Sequence, residues 1–295
     1  KKKLFNDDKP IRFFEEVIKK KLLQLTKNKK PKLRWMKKKI LIFIITYKAS
    51  YRLLKVYKSI PFKKLKKYKI NVLISDDKSG DDTIKYARKI SSKNKNIKLN
   101  FNKKNLGYGG NIKICLNYAL TKKFDYAIMI HGDNQYNPKY IPNMMKIFEK
   151  NKLTQAVAGS RLLKSIKNIR KGGMPIYKLI GNKILTKIHN LLLNTNFTDV
   201  HTGYWAYKMN NFKNKFYLSA TDGYNFDQQI RFQYIYKKQK ITEIPINTRY
   251  ADEKSQLHIK YAIRFFFETI IFFLIKKKIV SHKTVKYLTK YNLKN

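Results

Sequence analysis

The chain has 295 residues, with 67 Lys and Arg against 18 Asp and Glu, giving a formal net charge of +49. A hydrophobic fraction of 43% with 14% aromatics exceeds what disordered chains carry, so the sequence encodes a folded core and not merely a polybasic tail. The single cysteine, Cys115, excludes an intramolecular disulfide framework and a cysteine-based zinc cluster, and fits a reducing compartment.

Residues 1–39 read as a basic arm containing an amphipathic stretch from Ile11 to Leu25; no apolar run follows Lys1-Lys2-Lys3, so a secretory leader is not expected. The core begins at the apolar run Ile40 to Ile45. Such a run reads as a strand covered on both faces, and similar blocks recur at Ile70 to Ile74 and Tyr126 to Ile130, with a further strand before Asn105. Helical segments alternate with them at Ser50 to Ser59, Thr83 to Ser91 and Asn111 to Leu120. Alternation of this kind predicts an α/β fold with a mostly parallel, doubly wound sheet, whose ligands sit beyond the carboxyl ends of the strands. In the second half, Ala156-Val157-Ala158 is followed by a Lys-rich loop closing at Gly172-Gly173-Met174-Pro175 and a predicted helix from Ile176 to Leu193. A mixed stretch from Asp199 to Lys208, a helix from Phe226 to Lys238 and a strand from Ile241 to Ile246 follow. Residues 40–255 are expected to form one domain, with 256–295 as an amphipathic helical tail. The apolar stretch from Phe265 to Ile275 is interrupted by Glu268 and is too short to span a bilayer, which takes about 20 residues. With Arg264 and Lys277 at its ends, it suits either a membrane interface or packing on the domain.

The strand-end loops carry the polar chemistry. Ser75-Asp76-Asp77 places two carboxylates at a strand end in an acid-poor chain, where they could accept from the N–H groups of a nucleotide base; Asp81 and Asp82 suit a helix cap. Asn105-Leu106-Gly107-Tyr108-Gly109-Gly110-Asn111 opens a helix, and its glycines would let a phosphate approach the helix N-terminus. His131-Gly132-Asp133-Asn134-Gln135, read as extended, aligns His131, Asp133 and Gln135 on one side as donors to a Mg²⁺ or Mn²⁺ ion that would bridge a diphosphate. The same segment also reads as a polar turn without metal.

Taken in order, Asp76-Asp77, Gly107 to Asn111, His131 to Gln135 and Gly159-Ser160-Arg161 resemble family 2 glycosyltransferases of the GT-A fold, particularly the dolichol-phosphate mannose synthase-like branch. Asp199-Val200-His201-Thr202-Gly203-Tyr204-Trp205-Ala206 is similar to that branch's D-x-x-[ST]-G-[FY]-R-A stretch, and Glu243-Ile244-Pro245-Ile246 with Arg249 and Ser255 to a later segment. The resemblance covers about Ile40 to Ser255. It implies a metal-dependent, inverting hexosyl transfer from a nucleotide-diphospho-sugar to a polyprenyl-phosphate or related glycan acceptor, by a protein held peripherally on the inner, cytoplasmic face of an anionic membrane. The donor set it implies is Thr46, Tyr47, Asp76, Asp77, Asn105, Gly107, Gly109, Gly110 and Arg161. His131, Asp133 and Gln135 would hold the metal, and Arg161 and Arg249 the phosphates. His201, Thr202, Gly203 and Tyr204 would face the acceptor, with Asp227 as general base for a hydroxyl and Asp222 in reserve. Departures from the pattern are Thr46-Tyr47-Lys48 for the usual P-x-Y-N, His131 for the first Asp of D-x-D, Trp205 for Arg, and Gln229 for Glu. The charge alone also suits a nucleic-acid binder, yet no nucleic-acid motif is present and no specific nucleic acid is expected. A degenerate transferase serving as a membrane-bound partner subunit is the third reading.

Overall fold

The computed structural model describes residues 20–21, 37–92, 94–250 and 259–281. The amphipathic stretch 11–25 (apart from 20–21), nearly all of the basic arm, Ser255 and the end of the tail lie outside the described residues. The chain divides into two units at residues 37 and 38, and the second is described here.

Seven strands form one sheet: β1 (Lys39–Thr46), β2 (Lys69–Asp76), β3 (Ile97–Phe101), β4 (Tyr126–His131), β5 (Thr154–Ser160), β6 (Trp205–Lys208) and β7 (Lys240–Pro245). Their order is β3-β2-β1-β4-β6-β5-β7, with β6 antiparallel to both neighbours and all other pairings parallel. This is the GT-A, Rossmann-like arrangement, and β6 is the part that strand and helix alternation did not foretell. The unbroken apolar run of β1 follows from its central place. Ile40, Ile42 and Ile44 enter one core, while Leu41, Phe43 and Ile45 enter the other. The first core is closed by α1 (Arg52–Lys58), α2 (Thr83–Ser91) and α4 (Ile141–Lys150), through Leu53, Ala87 and Phe148 among others. The second is closed by α3 (Gly107–Thr121) and α7 (Phe226–Tyr236), through Cys115, Leu116 and Ile230. Each large side chain so withdrawn from water contributes roughly 1.5–3 kcal/mol, which is why a polar residue at these positions would not be tolerated.

Register brings the strand ends to one edge. Thr46 pairs with Asp76 and Ile45 with His131, so the segments after β1, β2 and β4 emerge together. On the far side, Ser160 of β5 pairs with Pro245 of β7. Short α5 (Ile166–Lys171) occupies part of the Lys-rich loop, and α6 (Ile176–Leu193) and α8 (Ile259–Lys276) pack on each other and on α7 through Leu193, Phe232, Phe272 and Ile275.

Candidate active site

The carboxylates at the end of β2 are committed to the fold. Asp76 is buried; its Oδ1 accepts from the Thr46 hydroxyl at 2.9 Å and from the Ser79 hydroxyl, and its Oδ2 from the Ser79 amide at 3.0 Å. Asp77 Oδ1 accepts from Asn102 Nδ2 and the Leu106 amide, and its Oδ2 accepts from the Gly107 amide at 2.9 Å. These acids shape the rim from within. Asp81, by contrast, caps α2, its oxygens accepting from the Thr83 amide and the Ser50 hydroxyl.

The glycines are likewise engaged within the fold. They lie inside the first turn of α3, which starts four residues earlier than the sequence pattern predicts, and the Asp222 carbonyl accepts from the amides of Gly109 (2.7 Å) and Gly110 (3.2 Å). A Cβ at Gly107 would stand 2.7 Å from that carbonyl oxygen, and φ there is +80°. The glycines therefore admit the chain's own segment 221–222, and the donors expected for phosphate are taken. Asn105 remains exposed, its Oδ1 accepting from the Gly107 amide, and Tyr47 is exposed beyond the buried Thr46.

Beyond β4 the chain turns instead of continuing extended. Asn134 has φ +67°, and Asp133 Oδ1 accepts from the Gln135 amide at 2.8 Å. His131, Asp133 and Gln135 thus do not share one strand face. The His131 ring is boxed by Tyr108 and Tyr136, with centroids at 5.6 and 4.9 Å, and by Gly203, where a Cβ would stand 2.9 Å from the ring. Burial holds its pKa below the ordinary value, with the nearby Asp133 charge opposing, so the imidazole is neutral. Tyr136 extends the box by accepting from the Gly203 amide at 3.1 Å. Thr202, Gly203 and Tyr204 are buried as part of this wall.

Arg161 is 7% exposed and fully engaged: Nε and Nη2 donate to the two Asp199 oxygens at 2.7 and 2.8 Å, and Nη1 donates to the Tyr250 hydroxyl at 2.8 Å. Burial alone would raise the Asp199 carboxyl; the guanidinium outweighs it and holds the group at about 2. The pair orders the loop after β5. Glu243 secures the same loop by accepting from the Thr198 and Asp199 amides. His201 lies under α8, its ring 4.0 Å from that of Phe265, and burial with the Arg161 and Arg231 charges pushes it down to about 3 against Asp199. Its imidazole is neutral and packs against that ring. Arg249 alone of the two expected phosphate ligands is exposed. Its amide donates to the Gln135 carbonyl at 3.0 Å, which sets it beside the β4 turn.

Asp227, 9% exposed at the start of α7, accepts at Oδ2 from the Tyr108 hydroxyl at 2.6 Å, while its buried Oδ1 has no partner among the described residues. The Tyr108 hydroxyl also lies 3.4 Å from His131 Nε2. Burial raises the Asp227 carboxyl to about 7, against the lowering effect of the Tyr108 bond and the Arg231 charge. Nothing in the spacing of Tyr108, Arg231 and Asp227 marks them as neighbours; only a pattern linking distant positions could have found them.

The Glycosyl transferase family 2 model matches residues 41–216, which is more than half of the chain. The chain belongs to glycosyltransferase family 2. This family 2 protein is 30% identical over 222 residues to an uncharacterized protein of Methanocaldococcus jannaschii, covering 72% of this chain and 90% of that one. It is 23% identical over 182 residues to the undecaprenyl-phosphate mannosyltransferase of Micrococcus luteus, covering 60% and 70%. Among solved structures, glucosyl-3-phosphoglycerate synthase from Mycobacterium tuberculosis in complex with UDP superposes with TM-score 0.56 at 14% identity, over 83% and 82% of the chains. A further complex of that enzyme contains Mn²⁺, UDP and phosphoglyceric acid. Residues 1–349 of TarS from S. aureus superpose with TM-score 0.51, again at 14% identity, over 83% and 77%. The family 2 chain is a glycosyltransferase acting with a nucleotide-sugar.

Two departures from the family 2 pattern have structural counterparts. Where the pattern has an Arg, Trp205 is buried under the guanidinium of Arg231, 5.0 Å from its ring; Arg231 donates to the Val200 carbonyl. Where it has a Glu, Gln229 donates to the buried Glu268 of α8 at 3.2 Å, so the carboxylate comes from another helix. The donor set also bears on a metal. Among the described residues no group of three His, Cys, Asp or Glu could hold an ion, and Asp133 keeps one oxygen outside its turn bond. That set fits a hard cation shared with substrate phosphates, not one caged by protein.

Proposed function

We propose that this glycosyltransferase moves a hexose with inversion from a nucleotide-diphospho-sugar to a polyprenyl-phosphate, in the manner of the dolichol-phosphate mannose synthase-like branch, at the inner face of an anionic membrane. The undecaprenyl-phosphate mannosyltransferase of Micrococcus luteus supports this acceptor class. On this reading the donor lies along the rim of Tyr47, Asn105 and the β4 turn, with Thr46, Asp76, Asp77 and the glycines holding that rim in shape. Asp133 and Gln135, beside the neutral His131, would hold Mg²⁺ or Mn²⁺, which supplies Lewis-acid stabilisation of the leaving diphosphate when bound. Arg249 binds and orients the acceptor phosphate.

The observation that carries the acceptor is the contrast between Arg249 and Asp227. Arg249 is exposed beside the turn, whereas Asp227 is buried and its Oδ2 is held by the Tyr108 hydroxyl. A phosphate monoester is already largely ionised at neutral pH, with a second pKa of about 6, and attacks without a base. The test compares Arg249→Ala with Asp227→Asn on a purified polyprenyl-phosphate. Arg249→Ala should lose activity on the order of a hundredfold or more, as expected for a charge-assisted phosphate contact, and Asp227→Asn should lose little. The reverse ranking would favour a hydroxyl acceptor, with Asp227 as base through Tyr108.

A further inference from the structure

Three elements meet behind the rim: His131 ends β4, Tyr108 stands in the first turn of α3, and Asp227 stands in the first turn of α7. The fold leaves the Tyr108 ring little choice of place. Its backbone lies between Gly107 and Gly109, against the Asp222 carbonyl, and its ring stacks on that of Tyr224 at 5.6 Å, which is met edge-on by Tyr261 of α8 at 5.0 Å. Gly203 makes room for the meeting. A Cβ there would stand 2.9 Å from His131 Cε1, 3.0 Å from the Tyr108 hydroxyl oxygen and 3.1 Å from His131 Nε2, so a side chain at 203 would press on the ring and the hydroxyl at once.

The hydroxyl has one hydrogen and two neighbours that could take it. Asp227 Oδ2 lies at 2.6 Å and His131 Nε2 at 3.4 Å. Distance favours the carboxyl, and so does the count of buried acceptors: Asp227 Oδ1 has no partner among the described residues, and a hydroxyl turned to the ring would strand Oδ2 as well. What the hydroxyl then offers His131 is a lone pair. A neutral imidazole has a single N–H, so Nε2 carries it toward Tyr108 and Nδ1 keeps the free pair.

We infer that Tyr108 and Asp227 are positioning residues that fix His131 as its Nε2–H tautomer and so reserve Nδ1 for a divalent cation, an inference that rests on the proposed metal-holding role of His131 for its consequence but not for its first test. A histidine that ligates a metal ordinarily gives its other N–H to an oxygen, which orients the ring and makes the ligating nitrogen more basic. Here that oxygen is a phenol backed by a carboxyl. The role asks of residue 227 only an acceptor, which an amide oxygen also supplies, in agreement with the small loss expected for Asp227→Asn. It also matches His131 to its surroundings, since an ionised Asp at 131 would have no N–H to give to Tyr108.

The experiment uses the full chain labelled with ¹⁵N-histidine, freed of metal with EDTA and held at pH 8, where the Asp227 carboxyl is mostly ionised. The ring-nitrogen signals of His131 are identified by their loss in His131→Gln. Wild type should show one neutral tautomer, protonated at Nε2. Tyr108→Phe, which keeps the ring contacts with His131 and Tyr224, should show a mixture of the two tautomers, whereas Asp227→Leu frees the hydroxyl to donate to the ring and should move it toward Nδ1–H. Mn²⁺ is then added and followed by electron paramagnetic resonance, and Tyr108→Phe should bind it roughly tenfold or more weakly than wild type. A wild type protonated at Nδ1, or an unchanged tautomer in either variant folded as wild type, would overturn the inference; for Tyr108→Phe, that result would leave the Gly203 backbone, which also bonds the ring, as what sets it. Equal Mn²⁺ binding by wild type and Tyr108→Phe would overturn it too. Wild type that binds no Mn²⁺ would sink the metal reading alone, and the nitrogen signals would still decide whether Tyr108 and Asp227 set the ring.

Discussion

Asp227 holds its proton at a pH where other carboxylates have lost theirs, and this has a measurable sign. Its native value of about 7 lies above the ordinary 3.8, so between those values the folded chain keeps a proton that the unfolded chain has released. Stability must therefore fall as pH rises from about 4 to about 7, by roughly 4 kcal/mol at most for this one group. Asp227→Asn should abolish that slope, and its melting temperature should exceed wild type at pH 8 and match it near pH 4; parallel profiles would show that Asp227 ionises normally. His201 works in the opposite direction, its depressed value of about 3 withdrawing stability as pH falls below about 6.5. The identity of Asp227 as an uncommitted acid was legible in the sequence, but its partner was not, since Tyr108 lies 119 positions away. The partners of Asp76 and Asp77 were hidden for a related reason. The pattern displays the acceptors at a strand end, while the donors that consume them arrive from Thr46, Ser79 and the Leu106 to Gly107 amides on separate loops.

The contact between α7 and α8 is polar at its centre, and that makes it sensitive to one proton. Gln229→Glu, which restores the residue common in the family pattern, would set two carboxylates about as close as the present 3.2 and 3.3 Å contacts. Expected is a loss of about 1–3 kcal/mol, from the lost hydrogen bond and the new repulsion. Adding Glu268→Gln should return most of it, because the amide and carboxylate have merely changed helices. A double variant no more stable than Gln229→Glu alone would mean that the contact between positions 229 and 268 does not help to hold α8. Elements were readable where periodicity survives. The strands β1, β2 and β4 show as apolar blocks because helices cover both faces of the sheet. α3 was placed four residues late because its first turn is glycine, which reads as loop until the 221–222 segment is seen lying on it. β6 was unreadable as a strand: four residues, Trp205 to Lys208, whose alternation is hidden because both sides are buried.

With 67 basic and 18 acidic residues, the molecule repels itself, and the repulsion is relieved when the chain expands. Added salt shortens the reach of those charges from about 30 Å at 0.01 M to about 8 Å at 0.15 M. The melting temperature should rise across that range, whereas stability resting mainly on surface ion pairs would make it fall. The placement of β6 adds a consequence for how the molecule comes into being. β6 joins β4 to β5, yet the ribosome delivers it after both. A nascent chain that has reached residue 200 carries β4 and β5 with no strand to pair between them, their facing backbone groups open to any other strand nearby. Only when Trp205 to Lys208 emerge can the two blocks become one sheet, and Gly203 close against His131. Synthesis arrested in that window would leave a sticky half-sheet. The wall against the His131 ring is thus set only after β4 and β5 have both been made.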